Sequence, residues 1–267
     1  MLLSNWVRRS NRQATRLLLA ASCCAAAFTP AWAQSPSDPA KARVQTMAQS
    51  QTPALLDTLK TLVSIESGSR DLEGLEKISQ LIGQRLQQLG MEVKTIPTQA
   101  PDFHPQLKGA KLGSVVMGTK KGKGQKKVLL IAHMDTVYLK GMVAKQPFRI
   151  DGNRAYGLAI SDDKGGVALI LHTVQMLQDL GFDDYAELAV AINGDEEVGS
   201  AGSSALLVQL GEEYDAVMSF EGGGVDKDMV RLATSSIAIV EMKVTGKASH
   251  AGANPEGGRN AVYELAH

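Results

Sequence analysis

The sequence Val128-Leu129-Leu130-Ile131-Ala132-His133-Met134-Asp135 joins an apolar run to the first candidate functional residues of this chain. Short, continuous apolar runs rich in branched side chains are typical of strands buried in a parallel sheet. Two further runs, Leu188–Ile192 and Ala216–Phe220, also lead to acidic residues. If the three runs are neighbouring parallel strands, their carboxyl ends bring an imidazole and several carboxylates into one crevice.

Acidic residues follow these strands in a fixed order. Asp135 stands two residues after His133, so in extended backbone the two side chains share a face and Asp135 can orient the imidazole ring. Asp195-Glu196-Glu197 follows the second run, and Glu221 ends the third. Buried carboxylates without partners are too costly for a fold, so such a cluster favours divalent cations. In the acidic triplet one carboxylate can bind metal while its neighbour acts as a separate base.

Several of these residues also have a structural interpretation. A lone histidine after a strand is commonly a hydrogen-bonding residue, and Asp162-Asp163 at a helix start is equally typical of capping. His172 lies on an apolar helix, where we expect a core role. His250 lies in a loop of small residues that can equally be plain surface. The five lysines within residues 120–127 alternate with glycines, which favours a solvated turn over a binding patch.

The composition is that of a globular protein with one large core, or with a core domain plus part of a second domain. The chain has 267 residues, 44% of them hydrophobic, and a formal net charge of zero. The first 33 residues hold four arginines and no acid, so the remainder has 24 basic and 28 acidic residues. This acidic balance argues against nucleic acid as a partner. The nucleophile elbow of serine hydrolases, the phosphate-binding loop and the H-E-x-x-H zinc helix are all absent from the sequence.

The N-terminus has the pattern of an export signal. Four arginines within residues 8–16 precede the apolar stretch Leu17–Phe28, and Ala31-Trp32-Ala33 is a small-x-small cleavage site. The apolar stretch is too short to span a bilayer permanently. Cleavage after Ala33 removes both cysteines, so we expect a mature protein without disulfides. We expect it in the bacterial periplasm or secreted, with no membrane association after cleavage.

Helical and strand-like patterns alternate along the chain, which predicts an α/β fold with a mostly parallel sheet sandwiched by helices. Helices are predicted at Pro53–Ile65, Leu72–Leu89, Lys164–Leu180 and Ser203–Leu210, the last three followed by Gly90, Gly181 and Gly211 as stops. Two more strands are predicted at Met91–Ile96 and Ser114–Met117.

The pattern changes near Ser236. Ile237–Val244 alternates like a half-exposed strand and Asn260–Ala266 begins a helix, as in the start of a small α+β domain. Because the pattern stops inside that helix, we expect the sequence to be the front part of a longer protein. We divide it into a signal peptide (1–33), a flexible leader (34–52), an incomplete catalytic domain (53–235) and the start of a lid or dimerisation domain (236–267).

Five ordered motifs resemble the dinuclear-zinc exopeptidase and deacylase family, which includes glutamate carboxypeptidase, acetylornithine deacetylase and succinyl-diaminopimelate desuccinylase. The motifs are His133-Met134-Asp135-Thr136-Val137, Tyr156-Gly157 leading to Asp162-Asp163-Lys164-Gly165-Gly166, Asp195-Glu196-Glu197-x-Gly199-Ser200, Ser219-Phe220-Glu221 and Ala248-Ser249-His250-Ala251-Gly252. The resemblance runs from Pro53 to the last residue. Within the family, the stretch His133–Lys145 is most similar to secreted bacterial glutamate carboxypeptidases.

The resemblance implies a metal centre with two zinc ions per subunit in the full-length protein. His133 and Glu221 would hold one zinc ion, Asp162 would bridge both, and Glu197 would bind the second. The family's second histidine ligand lies in a C-terminal return that this sequence does not contain. The resemblance therefore implies that the second metal lacks a ligand here and that the 267-residue chain alone is inactive.

The resemblance also implies catalytic roles. Glu196 would be the general base, Asp135 would support His133, and His250 would stabilise the oxyanion, in a protein that forms a homodimer when full length. The implied reaction is hydrolysis of the amide bond to a C-terminal amino acid, with glutamate of folate-type or N-acyl substrates as the first candidate. A deacylase or dipeptidase of the same family, an inactive fragment and a metal-binding module are the alternatives.

Two departures from the family pattern affect the site. Gly157-Leu158-Ala159 stands where relatives have a Gly-Pro-Gly-like approach to Asp162, so we expect the path of this loop to shift. Three glycines follow Glu221 where relatives often carry proline, and they permit either close approach to a ligand or a tight turn.

Overall fold

A computed structural model describes residues 38–223, 230–234 and 240–267 of the chain. The chain forms two compact units, Met1–Ala42 and Arg43–His267. The described part of the first unit is residues 38–42, where the first helix begins, and the predicted signal peptide lies outside the described residues. The second unit contains the sheet and all of the candidate functional residues.

The helices are α1 (Pro39–Val63), α2 (Leu72–Gln88), α3 (Lys164–Asp179), α4 (Ser204–Glu213) and α5 (Ala261–Ala266). The strands are β1 (Glu92–Gln99), β2 (Lys111–Lys121), β3 (Lys127–His133), β4 (Arg149–Asp151), β5 (Arg154–Tyr156), β6 (Glu187–Gly194) and β7 (Ala216–Ser219). Short 3-10 helices lie at Glu196–Val198 and Pro255–Gly257.

Five strands form the main sheet, in the order β1-β2-β6-β3-β7. Strand β3 pairs in parallel with β6 on one side and with β7 on the other, whereas β2 is antiparallel to both β1 and β6. Four strands therefore run in one direction and only β2 opposes them within this sheet. The predicted mostly parallel sheet is confirmed.

Helices cover both faces of the sheet. Along β6, Val190 and Ile192 pack into the large cluster formed with α1, α2 and α3, whereas Ala189 and Ala191 face the smaller cluster that contains Leu210 of α4. Successive side chains of a strand point to opposite faces, so a strand covered on both faces is apolar at every position. This double coverage explains why β3 and β6 stand out in the sequence as continuous apolar runs.

Helix α1 begins earlier than predicted. Residues 39–52, which we expected to belong to a flexible leader, are helical and continue into the predicted helix at Pro53. The Asp38 carboxylate accepts a hydrogen bond of 2.9 Å from the Ala40 backbone N–H, and proline is favoured at the first helical position. The alanine, lysine, glutamine and methionine residues that follow are good helix formers.

Three smaller features differ from the sequence predictions. The hairpin β4–β5 was not predicted, although Asp151-Gly152 is a turn signal and Gly152 has a φ of +58°. Gly211 lies inside α4 and does not end it. The predicted strand Ile237–Val244 lies partly outside the described residues, and its described part, 240–244, is not paired as a strand with any other described residue.

The predicted last helix is confirmed as α5. The Asn260 side chain caps it and accepts hydrogen bonds from the backbone N–H groups of Val262 and Tyr263, at 3.0 and 3.2 Å. None of the helices in the described part of the chain is both long enough and apolar enough to cross a membrane.

Candidate metal centre

The candidate site lies at the carboxyl ends of three adjacent parallel strands. His133 is the last residue of β3, Glu196 follows the end of β6 by two residues, and Glu221 follows the end of β7 by two residues. Because β3 lies between β6 and β7, these three side chains meet at one edge of the sheet. The predicted meeting of the three strand ends is therefore confirmed.

The His133 imidazole is held from both of its nitrogens. The side chain is only 2% exposed. Its Nδ1 lies 3.1 Å from the backbone oxygen of Asp135 and 3.3 Å from the Asp135 carboxylate. Its Nε2 lies 3.0 Å from the Asp162 carboxylate. The hydrogen bond from Nδ1 to Asp135 turns Nε2 towards the acidic cluster, where it could serve as a metal ligand once it loses its proton.

Three residues have the geometry of a metal-binding group. One ligand atom each from His133, Asp162 and Glu221 can be chosen so that all three lie within 4.8 Å of one another. The His133 Nε2 atom is also 3.7 Å from a Glu221 carboxylate oxygen and 3.9 Å from one of Glu196. The carboxylates are about half exposed, so the group opens towards solvent on the side away from His133.

Asp135 is fully buried and contacts both His133 and the turn that carries Glu196 and Glu197. Its carboxylate accepts hydrogen bonds from the backbone N–H groups of Glu196 and Glu197, at 3.0 and 3.1 Å. It also accepts a bond of 2.8 Å from the Ser69 hydroxyl. Asp135 therefore contacts the His133 ring and fixes the backbone that carries the two glutamates. Nothing in the sequence around Ser69 indicated this contact.

Asp163 occupies the position before α3 but does not cap the helix with its side chain. One carboxylate oxygen accepts a hydrogen bond of 3.1 Å from the His133 backbone N–H, and the other has no hydrogen-bond partner among the described residues. Burial raises the pKa of Asp163 to about 8. The capping interpretation does not hold for Asp163, which supports the end of β3, while Asp162 faces the cluster.

The site carries an excess of negative charge from its carboxylates. Burial lowers the pKa of His133, but the hydrogen bond and charge of Asp135 outweigh burial and raise that pKa to about 10. Burial, and then the charge of Asp162, raise the pKa of Glu197 to about 7, and burial raises the pKa of Glu196 as well. A divalent cation relieves this repulsion, and imidazole nitrogen with carboxylate oxygen is a donor set that zinc accepts.

The first acid of the triplet has a structural role. Asp195 is fully buried and its carboxylate accepts bonds from the backbone N–H groups of Gly202 and Ser203, at 2.8 and 3.0 Å, and from the Ser203 hydroxyl at 2.6 Å. These bonds close the turn after β6. They leave Glu196 and Glu197 as the acids of the triplet that face the site.

Residues 129–262 match peptidase family M20/M25/M40. The chain belongs to that family. It is 44% identical over 217 residues to Carboxypeptidase G2 of Pseudomonas sp. (strain RS-16), a match that covers 81% of this chain and 50% of the relative. The chain thus spans about half the length of the curated relatives that it matches.

Solved structures agree on the fold. Human carnosine dipeptidase 1 superimposes with a TM-score of 0.57 at 21% identity, covering 68% of this chain and 41% of that one. The dipeptidase Dug1p from Saccharomyces cerevisiae gives a TM-score of 0.56 at 21% identity, covering 67% of this chain and 40% of that one. The cluster at the strand ends holds residues that could bind a metal ion, in a chain that belongs to peptidase family M20/M25/M40.

The remaining histidines are separate from the cluster. His172 is 5% exposed and both ring nitrogens have partners, with Thr58 at 2.9 Å and Gln51 at 3.0 Å, which confirms the predicted core role. His250 is exposed and its Nδ1 accepts bonds from Gly252 and Ala253 of its own loop, at 3.2 and 3.0 Å. The structure does not bring His250 into the group, and its catalytic role stays a prediction.

Proposed function

We propose that the full-length protein is a zinc-dependent exopeptidase of the glutamate carboxypeptidase type, which hydrolyses the amide bond to a C-terminal amino acid. Glutamate at the end of folate-type or other N-acyl substrates is the proposed leaving residue. The main support for this proposal is the group of His133, Asp162 and Glu221, whose potential ligand atoms lie within 4.8 Å of one another. A Glu196 carboxylate oxygen also lies 3.9 Å from the His133 Nε2 atom. The 44% identity to Carboxypeptidase G2 supports the carboxypeptidase reaction.

We assign these residues and Glu197 to two zinc ions per subunit. His133 and Glu221 would hold one ion, Asp162 would be shared by both, and Glu197 would contribute to the second. Bound zinc supplies Lewis-acid polarisation of the substrate carbonyl and makes water easier to deprotonate. The nitrogen and oxygen donors fit this ion, and Asp135 keeps the His133 ring turned so that Nε2 faces it.

Glu196 is the proposed general base. Its backbone is fixed by the hydrogen bond to Asp135, whereas its side chain is about half exposed and free to reach a substrate. Its carboxylate would take a proton from the attacking water and return it to the nitrogen of the leaving amino acid. Burial raises the pKa of Glu196, which brings the group closer to the working range of a general base.

The proposed protein is exported from the cytoplasm and forms a homodimer. The basic and apolar N-terminal segments support cleavage after Ala33 and a periplasmic or secreted location. The resemblance of residues 236–267 to a lid or dimerisation domain supports a homodimer in which His250 reaches an active site. Sequencing of the mature N-terminus should give Gln34 as the first residue, and light scattering of the full-length protein should give twice the subunit mass.

Hydrolysis assays on the full-length protein test the activity. We expect release of glutamate from folate and from N-acyl-glutamates, loss of release with a metal chelator, and recovery on addition of zinc. Preferred release from dipeptides or from N-acyl derivatives of other amino acids would replace this function by that of a dipeptidase or deacylase. Stoichiometric zinc without hydrolysis would instead indicate a metal-binding module.

A further inference from the structure

A cavity of about 280 Å³ lies away from the candidate metal centre, among helices α1, α2 and α3. Its walls come from residues between 54 and 62 of α1, from Leu81 and Arg85 of α2, and from Leu171 of α3. Along α3, Leu171 lies about 10 Å from Lys164, where the helix begins beside the metal centre. In the described part of the chain, the cavity and the candidate metal centre have no residue in common.

The floor of this cavity is apolar. Leu62 and Leu171 are 1% and 2% exposed and belong to the large core cluster, and Leu81 packs against the same cluster. An apolar group that enters the cavity is removed from water against these three side chains, and the stabilisation grows with the apolar area that is buried. The floor therefore favours an occupant with an aliphatic part.

The two threonines in the wall already use their hydroxyl protons. The Thr58 hydroxyl donates to the Ala54 backbone oxygen at 3.0 Å, and the Thr61 hydroxyl donates to the Asp57 backbone oxygen at 2.9 Å. Both bonds lie within α1, so neither hydroxyl needs a ligand. The groups in the wall that still lack a partner are charged.

One carboxylate and one guanidinium line the cavity without a partner. The side chains of Asp57 and Arg85 form no hydrogen bond or ion pair with any residue in the ranges that the structure describes. Asp57 is exposed on α1, whereas Arg85 is half-buried on α2. Arg85 also acts on a neighbour of the cavity, because burial and then the Arg85 charge lower the pKa of His172, whose Nε2 lies 2.9 Å from the Thr58 hydroxyl.

These features together specify the chemistry of an occupant. A carboxylate suits Arg85, because guanidinium binds carboxylate through two parallel hydrogen bonds. An ammonium group suits Asp57, and an aliphatic group suits the leucines of the floor. Cavities of about 300–1,000 Å³ hold drug-sized ligands, so this cavity suits a smaller molecule. A free α-amino acid with an aliphatic side chain carries all three groups.

We propose that this cavity binds a free aliphatic α-amino acid of the size of leucine. Its carboxylate pairs with Arg85, its ammonium group pairs with Asp57, and its side chain contacts the leucines of the floor. An acidic side chain is excluded, because its charge would be buried against those leucines. The site goes beyond the proposed function, since its ligand is neither the proposed substrate nor the glutamate that the metal centre would release.

Titration of the zinc-loaded full-length protein with L-leucine, followed by ligand-detected nuclear magnetic resonance, tests this site. We expect saturable binding, and binding of L-alanine at least about 10-fold weaker because it buries less apolar surface. Two probes each lack one charge: 4-methylpentanoate has no ammonium group, and 3-methylbutylamine has no carboxylate. Each should bind about 3- to 10-fold more weakly than L-leucine.

Variants of the two charged residues should give a crossed pattern. Arg85→Gln should weaken binding of L-leucine about 3- to 10-fold and leave 3-methylbutylamine unchanged, since that probe has no carboxylate to lose a partner. Asp57→Asn should weaken L-leucine without weakening 4-methylpentanoate. Arg154→Gln is the matched control, because Arg154 is exposed on β5 and does not line the cavity, and it should bind every probe like the wild type.

Filling the cavity gives a test that does not depend on the charges. Ala54 is exposed on α1 and lines the cavity, so Ala54→Phe should block binding of L-leucine while keeping the urea midpoint of the wild type. Ala54→Ser adds a single atom and should bind L-leucine normally. Equal binding of L-leucine to the wild type, Ala54→Phe and Arg85→Gln would place the amino acid at the metal centre and overturn the proposal. Equal affinity for L-leucine and L-alanine, or no binding to the wild type, would also overturn it.

Discussion

Ala159 takes a backbone conformation that favours glycine. Its φ is +56°, in the loop Gly157-Leu158-Ala159 that approaches Asp162. Side chains other than glycine are strained in this region. The sequence predicts that Leu158 and Ala159 shift the path of the loop relative to the family, and that stays a prediction. The left-handed conformation at Ala159 carries backbone strain. Both side chains are buried against the fold, with exposures of 6% and 5%.

We predict that Ala159→Gly raises the free energy of unfolding by about 0.5–1 kcal/mol. The left-handed conformation costs a residue with a Cβ roughly 1–2 kcal/mol, and the greater freedom of glycine in the unfolded chain offsets about half of that gain. Urea unfolding of the full-length protein measures the change. The matched control is Ala205→Gly on the exposed face of α4, where we expect a loss of about 1 kcal/mol. A loss of stability in Ala159→Gly would contradict this account.

His172 makes the stability of the protein depend on pH. Burial, and then the charge of Arg85, lower the pKa of His172 below its ordinary value of 6.5. The unfolded chain takes up a proton at the ordinary pKa, whereas the folded protein resists protonation until a lower pH. Because the unfolded state binds more protons in that window, the free energy of unfolding falls as the pH decreases below 6.5.

We predict that His172→Gln removes this part of the acid destabilisation. Urea midpoints measured between neutral and mildly acidic pH should fall less steeply in the variant than in the wild type. His267→Gln, at an exposed position, should keep the wild-type slope. Equal slopes in wild type and His172→Gln would show that the buried ring is not the source of the dependence.

The first turn of α3 lies close to the residue that follows β7. A Cβ atom at Gly166 in the first turn of α3 would stand 1.9 Å from the Phe220 backbone oxygen and 2.2 Å from an Asp163 carboxylate oxygen. Only glycine permits this contact. The approach brings the start of α3, with Asp162 before it, to the end of β7, where Glu221 follows.

We predict that Gly166→Ala lowers the free energy of unfolding by about 1–3 kcal/mol, because the added methyl group forces the two elements apart. The same movement separates Asp162 from Glu221, so the zinc content per subunit should fall as well. Gly211→Ala in α4 is the matched control, since its added Cβ meets nothing within 4 Å. Glycine inside an exposed helix costs stability, so this control should gain about 1 kcal/mol. Unchanged stability and zinc content in Gly166→Ala would contradict the close approach.

Two of the three strands that carry the site, β3 and β6, can be recognised in the sequence because they are buried, whereas β7 is exposed. Strands β3 and β6 are covered on both faces, so both appear as continuous apolar runs, and the polar residues at their ends stand out. The hairpin β4–β5 has only three residues in each strand and lies largely exposed, so it leaves no apolar pattern. Ser69 contacts Asp135 across 66 residues of sequence, and a single serine in a loop carries no periodic signal.

The fold of the whole chain brings together the three residues of the candidate metal-binding group from segments that are distant in the sequence. His133, Asp162 and Glu221 meet because the strand order places β3 between β6 and β7, with α3 starting beside them. Family membership and the identity of the acidic residues could be predicted from motifs. The hydrogen bonds through which Asp135 and Asp163 hold the site together could not, because they depend on the path of the folded chain.

The chain spans about half the length of its curated relatives. For the full-length protein we propose different roles for Glu196 and Glu197. Glu197→Gln should reduce the zinc content, since its carboxylate is the proposed ligand of the second ion. Glu196→Gln should leave the zinc content unchanged.

Turnover and zinc content of Glu196→Gln, measured on the same preparation of full-length protein, test whether Glu196 is the general base. We expect wild-type zinc per subunit by elemental analysis and a loss of about 10²–10⁴-fold in the rate of glutamate release, because the general base is removed. Wild-type turnover with full zinc content would contradict the assignment of Glu196 as the base, and loss of zinc would show that Glu196 is a ligand instead.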